Sequence, residues 1–417
     1  MTSIQSTSVP RRVAVTGMGL VSSIGNDLET VEDFLRAGKS GIGFNPEYKE
    51  KGLRSHISGK VDADLTAINR KARRFMGIGA AYGYLALADA IEQSKISQSQ
   101  LSDERTALIV GSGGMASEDL LDAMDCLDAG GVRKVGPYRV TREMTSAPSA
   151  ILATEFKIKG PSYSISSACA TSAHCIGEGF HKIKMGLQDT VIAGGVDFAH
   201  WSQALQFDAM GALSTQYNEQ PELASRPYDQ NRDGFVISGG AGIVMLEDWD
   251  KAVSRGAEII AEVIGFGATS DGDNMVQPSG EGGERAMQQA LVDAGISQVD
   301  YVNTHGTSTP AGDITELKAI ARVFSEKCPL ISSTKSITGH GLGAAGVQEA
   351  IFSLLMLQKG FVSPSANLES PDPVALELPI IQEPMNQIIE TALSNSFGFG
   401  GTNACLIFKR ADSALAH

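Results

Sequence analysis

The feature that most constrains this 417-residue chain is an alternation of short β-branched runs, each stopping at a small residue, with segments of helical period. Arg12-Val-Ala-Val-Thr-Gly17, Thr106–Gly111, Thr190–Gly194 and Gly242–Leu246 read as buried strands in the first part. Ile259–Gly265, Val299–Thr304, Pro329–Ser333 and Ala404–Phe408 read the same way further on. Between them, residues 80–94, 172–185, 284–294, 313–324 and 344–358 carry apolar side chains at helical spacing. This alternation predicts an α/β protein whose sheet is covered on both faces. The length suits about two or three hydrophobic cores and is too great for one.

Two stretches echo each other. Ser166-Ser-Ala-Cys-Ala-Thr-Ser-Ala-His174 follows a strand and opens an apolar helix. Ser332-Ser-Thr-Lys-Ser-Ile-Thr-Gly-His340 does the same about 165 residues later. The repeat predicts two similar halves, residues 1–255 and 256–417, joined near Trp249–Gly256; a chance likeness of two small-residue turns is the alternative. The 46 glycines show no collagen-like period, so they point to tight turns and close backbone approaches.

Charge and cysteine content exclude several classes. With 34 basic against 48 acidic residues the net charge is −14, which argues against nucleic acid or an anionic membrane as the main partner. No apolar run reaches the ~20 residues that span a bilayer. Met1–Arg12 lacks the apolar core of a secretory leader. Five scattered cysteines predict no disulfide framework and a reducing compartment, so a soluble cytoplasmic protein is expected.

Cys169 lies among Ser, Ala and Thr just before a helix, where free N–H groups and the helix dipole favour thiolate over thiol. The alternative is a buried structural cysteine, the reading given to Cys175 one turn and a half further on. His305, in His-Gly-Thr-Ser-Thr-Pro, follows an apolar strand, and His340 lies in Thr-Gly-His-Gly-Leu-Gly. Each reads either as a loop residue bonded to backbone or as a group aimed into a crevice at a sheet edge. Three such residues on three strand–turn–helix junctions predict one composite pocket. Lys335, with Glu316 and Glu349 on neighbouring helical segments, is either half of a surface ion pair or an organiser of charge in that pocket.

Gly341-Leu-Gly-Ala-Ala-Gly346 matches a dinucleotide pattern, but His340 intrudes and no acid closes a second strand, so that reading is rejected. Gly17-Met-Gly19 lacks the third glycine. No CxxC or His-x-His spacing marks a zinc site. Ser394-Asn-Ser-Phe-Gly-Phe-Gly-Gly-Thr-Asn403 reads either as a hairpin turn or as a loop whose N–H groups meet an oxyanion while a phenylalanine gates a channel.

Together, Ser-Ala-Cys169-Ala-Thr, His305-Gly-Thr-Ser-Thr-Pro, Lys335-Ser-Ile-Thr-Gly-His340 and Gly398-Phe-Gly-Gly-Thr-Asn403 resemble the β-ketoacyl-[acyl-carrier-protein] synthases, from about Arg11 to Lys409. Phe207–Ser214, Asp233–Ile237 and Gly343–Ala350 bring the chain nearest to the type I enzymes. The resemblance implies a thiolase-like fold, a duplicated α-β-α-β-α five-layered sandwich acting as a homodimer. It implies decarboxylative Claisen condensation of acyl and malonyl groups, both delivered on the phosphopantetheine arm of acyl-carrier-protein, with no cofactor required by the chemistry. Cys169 would be the nucleophile, His305 and His340 the donors to an enolate, Lys335 a tuner of charge around His340, and Glu316 and Glu349 its support. The N–H groups of Cys169 and Phe399 would hold the oxyanion. Thr307 and Thr309 would bind the pantetheine arm, Phe397 and Phe399 would gate, and Gly114 and Met144 would line the acyl channel. Asn303, Glu349, Ser394 and Asn395 would surround a structural sodium or potassium ion.

Arg70-Lys-Ala-Arg-Arg74 is a basic cluster in an acidic chain. It is either a solvated helix face or, as the resemblance implies for Lys71 and Arg74, a docking site for acidic carrier protein. The rival readings are a type II synthase or polyketide ketosynthase with another chain-length range, a thiolase, an initiating type III synthase, a silent chain-length factor and a nicotinamide oxidoreductase. A thiolase needs a second reactive cysteine, for which Cys405 inside the last strand is the only late candidate. The type III enzymes carry Asn where this chain has His340, and chain-length factors lack the nucleophile.

Overall fold

The computed structural model describes residues 10–114 and 116–411; Met1–Val9, most of the stretch tested for a leader, lie outside the described residues. Ten strands form one mixed sheet: β1 Val13–Val21, β2 Thr106–Ser112, β3 Ser162–Tyr163, β4 Thr190–Asp197 and β5 Gly240–Asp248, then β6 Ala261–Ser270, β7 Tyr301–Asn303, β8 Leu330–Ser332, β9 Thr391–Gly398 and β10 Thr402–Arg410. Every residue of β1, β4 and β5 is buried, as strands covered on both faces require.

The spatial order β3-β2-β4-β5-β1 continues into β6-β10-β9-β7-β8. Read inward from its far end, β8-β7-β9-β10-β6, the second run repeats the first with each strand advanced by five. The senses repeat too: β2 is parallel to β3 and β4, and β5 is antiparallel to β4 and β1, just as β7 is parallel to β8 and β9, and β10 is antiparallel to β9 and β6. The two runs join only over Val13–Val15 and Ala261–Val263.

Seven helices frame this sheet: α1 Ile78–Ser94, α2 Ser117–Gly130, α3 Ala147–Phe156, α4 Thr171–Lys184, α5 Glu281–Ala294, α6 Gly312–Val323 and α7 Ala345–Lys359. α1 and α3 cover the outer face of the first half, and α5 and α6 that of the second. α4 and α7 pack on each other between the two halves, giving the five-layered thiolase-like sandwich. α7 is buried at every position from Ala345 to Leu357, because a central helix meets protein on all sides and has no polar face to present. Its side chains and those of α4 interleave with both halves in one shared core.

The pair Gly17 and Gly19 now has a purpose. A Cβ on Gly17 would sit 2.4 Å from the Ala90 carbonyl oxygen of α1, and one on Gly19 2.2 Å from that of Ala86. Gly265 and Gly267 on β6 meet α5 in the same way, at 2.3 Å from the Ala290 oxygen and 2.0 Å from the Ala286 oxygen. Both pairs let a helix backbone lie directly on its strand, and neither is a nucleotide site.

Two local readings need correction. Of the two readings of Ser394–Asn403 the hairpin holds and the single loop does not: residues up to Gly398 belong to β9, Thr402 opens β10, and only Phe399–Gly401 turns between them. Its Ser and Asn side chains masked a strand that lies in the buried interior. The strand that precedes Ser166–His174 is only Ser162–Tyr163, two residues short of that turn, since the chain must then bend to start α4.

Candidate active site

The turn between β3 and α4 holds Cys169 in a strained setting. Ala168, the residue before it, has φ +50°, a left-handed conformation rarely adopted without enforcement. The enforcement is visible. The Ser167 N–H donates to Thr171 Oγ1 at 2.8 Å, and Thr402 Oγ1 donates to the Ser167 carbonyl at 3.1 Å. The β9–β10 turn rests on this one so closely that a Cβ on Gly398 would lie 2.9 Å from the Ser167 oxygen and 3.2 Å from the Cys169 nitrogen. As a result the N–H groups of Phe399 and Cys169 both act on the Cys169 sulfur.

The second half supplies the imidazoles. His305 follows β7, where Glu316 on α6 accepts its N–H with Oε1 and that of Gly306 with Oε2, each at 2.8 Å. His340 is anchored by backbone bonds from its N–H to Val236 at 2.8 Å and from the Ser238 N–H to its carbonyl at 2.9 Å. These anchors bring His340 Nε2 to 3.0 Å from Cys169 Sγ, a hydrogen bond whose donor is set by the ring's tautomer. The His305 and His340 rings meet edge to face at 5.2 Å, and one ligand atom from each of the three residues lies within 4.8 Å of the others. They share a cavity of about 390 Å³, into which Thr307, Thr309, Phe397 and Phe399 also face. The predicted composite pocket exists.

Burial governs the electrostatics. It pushes the Cys169 thiol up to about 12, with the Lys335 charge the largest opposing influence and Asp197 adding to the rise. The expectation of a resting thiolate is thereby overturned: dipole and N–H groups act as predicted, but desolvation outweighs them. Burial and then the Lys335 charge hold both imidazoles well below 6.5, His305 being lowered further by its partner ring. Both rings are therefore neutral at pH 7. The site sets a thiol beside two neutral imidazoles, with two N–H groups where an oxyanion can form.

Lys335 is no surface residue. It is 1% exposed, and its Nζ donates to Glu349 Oε1 on α7. Burial lifts the Glu349 carboxyl to about 7 despite that partner. Glu349 Oε2 and the Ser394 hydroxyl are buried without a hydrogen bond, which suits oxygen ligands of a small cation. Asn303 faces Ser394 across the β7–β9 register and bonds Thr334 at 3.3 Å. Asn395 points the other way, its side chain held by Glu316 at 3.0 Å and by Cys405 Sγ at 3.0 Å, so it brings no side-chain ligand to that group.

Gly114 and Met144 are not in the Cys169 cavity. They line a second one of about 30 Å³ with Ala80, Ser112 and Asp197. Lys71 and Arg74 are exposed on and beside the short helix Arg70–Arg73, and neither forms an ion pair among the described residues. Asp197, at the carboxyl end of β4 and bonded to turns from both halves, went unremarked in the sequence. Its signal was there: an acid closing a buried strand after Gly194-Gly195.

Two comparisons of sequence and one of structure converge. Residues 10–252 match the family described as Beta-ketoacyl synthase, N-terminal domain, and residues 260–369 its C-terminal domain. The 3-oxoacyl-[acyl-carrier-protein] synthase 1 of Haemophilus influenzae is 53% identical over 96% of this chain and 99% of that protein. The corresponding synthase 2 of Vibrio cholerae is 40% identical over 96% and 99%. A crystal structure of a beta-ketoacyl synthase from Burkholderia phymatum superposes with a TM-score of 0.91 at 34% identity, covering 96% of this chain and all of that one. With Cys169 set against paired imidazoles and repeated halves in this arrangement, the chain belongs to the β-ketoacyl synthase family.

Proposed function

We propose that the protein is a 3-oxoacyl-[acyl-carrier-protein] synthase of type I that elongates fatty acyl chains. The observation that carries this reading is the 3.0 Å contact between Cys169 Sγ and His340 Nε2 beside a second neutral imidazole. The first step moves the acyl group from carrier protein to Cys169. As the sulfur attacks the thioester its proton passes by way of solvent to the departing pantetheine thiolate, and His340 keeps the Nε2 proton it needs for the second step. The N–H groups of Cys169 and Phe399 hold the oxyanion, each such donor being worth about 10²–10³ in rate.

Malonyl-carrier-protein then binds, its arm against Thr307 and Thr309. Loss of CO₂ leaves an electron pair on carbon and oxygen, and His305 and His340 donate to that enolate oxygen. The carbon attacks the acyl-Cys169 carbonyl, giving 3-oxoacyl thioester and releasing the sulfur, which regains a proton from solvent. No redox or metal step enters. Lys335 acts from behind the rings, disfavouring their protonated forms, while Glu316 fixes the His305 turn. A monovalent cation held by Glu349 and Ser394, with Asn303 beside it, would serve as structure.

The partner is acyl-carrier-protein, with Lys71 and Arg74 as docking charges. Residues 1–255 would supply the nucleophile and 256–417 both imidazoles. A homodimer is supported by the exposed edge strand β3, which ends the sheet with unpaired backbone groups. A cytoplasmic location accords with the absence, among the described residues, of any helix long and apolar enough to cross a membrane.

Intact-mass measurement tests the reaction. Mixing with acyl-carrier-protein thioester adds one acyl mass to Cys169, and malonyl-carrier-protein then discharges it as 3-oxoacyl product. An adduct that persists in Cys169→Ala refutes the assignment. Turnover compared across primer lengths separates type I from type II behaviour.

A further inference from the structure

Asp197 ends β4 and is 4% exposed. Its Oδ2 accepts the Gly343 N–H at 2.6 Å and the Gly113 N–H at 3.0 Å, while Oδ1 accepts from the Ser112 hydroxyl at 3.2 Å. Gly113 follows β2, and a Cβ there would lie 3.1 Å from the Ala168 oxygen, next to the nucleophile. Gly343 lies three residues beyond His340. A single carboxylate oxygen thus ties a turn of the first half to the turn of the second half that carries His340.

The two turns differ in how much they need this tie. The Cys169 turn has bonds of its own, from Ser167 to Thr171 and from Thr402 to Ser167. Past His340, Leu342 sits at φ +53°, a conformation that needs an outside hold. Two contacts supply one: the Asp197 oxygen on the Gly343 N–H, and β4 itself, where a Cβ on Gly195 would stand 2.9 Å from the Gly343 carbonyl oxygen. Among the described residues Asp197 makes no hydrogen bond to Cys169, His305 or His340.

We propose that Asp197 is a positioning residue for His340, holding the imidazole where the enolate oxygen forms. Burial lifts its carboxyl to about 7, so the role rests on the acceptor oxygen and does not require full ionisation. An amide oxygen in the same place should therefore serve. The titratable groups facing it are Cys169 across the Ala168 turn and Glu118 at the start of α2.

The inference rests on the condensing reaction proposed above, and the test separates the two. Wild type is assayed for CO₂ release from malonyl-carrier-protein without primer, which needs the imidazoles, and for Cys169 acylation, which uses the Cys169 and Phe399 N–H groups. If wild type does neither, the reaction is refuted whatever Asp197 does. Given both, Asp197→Ala lowers kcat for CO₂ release about 10- to 10²-fold, the scale of a 1 Å misplacement. Cys169 acylation and the KM for malonyl-carrier-protein stay within about threefold, and Asp197→Asn restores CO₂ release to within about threefold. Should the alanine variant fail to fold, Asp197→Glu, which pushes the acceptor out by one methylene, is read by the same split. Equal losses in both half-reactions, no loss in either, or an asparagine variant no better than alanine overturns the proposal.

Discussion

Replacing Glu316 with alanine removes the acceptor of three buried donors: the His305 and Gly306 N–H groups, each at 2.8 Å, and Asn395 Nδ2 at 3.0 Å. A buried donor left unpaired costs about 1–3 kcal/mol, and partial relaxation keeps the total toward the low end, about 3–5 kcal/mol. Glu316→Gln is milder. Its oxygen can keep the His305 and Asn395 donors, and only Gly306 faces an amide NH₂, at about 1–3 kcal/mol. Catalysis should suffer in the same order, because the His305 ring rides on the backbone these bonds fix, and a shift of about 1 Å costs on the order of 10²-fold. Urea unfolding gives the first quantity and primer-free CO₂ release the second. A Glu316→Ala protein with wild-type kcat refutes the claim that this carboxylate sets the His305 geometry, whatever its stability.

Two further outcomes follow from charge. Lys71→Glu combined with Arg74→Glu raises the KM for acyl-carrier-protein substrates while leaving a short pantetheine thioester unaffected, since both side chains are exposed and clear of the cavity; equal losses on both contradict docking. The pH dependence of stability has two opposing parts. His305 and His340 are depressed below 6.5, so their contribution is full above that value and is lost as pH falls beneath it. Asp197, Asp313 and Glu349 are raised to about 7, so theirs is present at low pH and lost as pH rises through about 7. From about pH 6.5, where the imidazole part is complete, to about pH 7 the carboxyl part still falls, so the urea midpoint should decline over that interval, and a midpoint that climbs across it counts against this assignment of charges.

The architecture was legible because buried strands of a covered sheet are β-branched runs with little else they can be. Thr106–Ser112 and Thr190–Asp197 announce themselves in this way. β9 did not, since Ser394, Asn395 and Ser396 sit buried in its middle and read as loop chemistry. The duplication showed in the turns before α4 and α7, yet its clearest trace, Gly17-Met-Gly19 against Gly265-Phe-Gly267, lies in steric contacts a linear pattern does not display. The three reactive side chains were readable from their glycine-rich, strand-end settings. Their protonation was not, because burial depends on neighbours far off in the chain: Lys335, Asp197 and the Phe399 N–H all converge on Cys169 from elsewhere. The partnership of Glu316 with Asn395, and of Asp197 with Gly343, likewise joins residues 79 and 146 positions apart.

The resting state of Cys169 bears on what can injure the enzyme. Sulfur whose ionisation is pushed so far up by burial is almost wholly S–H at neutral pH. Peroxide and soft electrophiles hunt for the anion, and here they meet a quiet, half-hidden S–H. In the proposed reaction, nucleophilicity is released only when an incoming carbonyl offers its oxygen to the two waiting amides. Such an arrangement keeps the reactive atom safe by making activation a property of the correct guest.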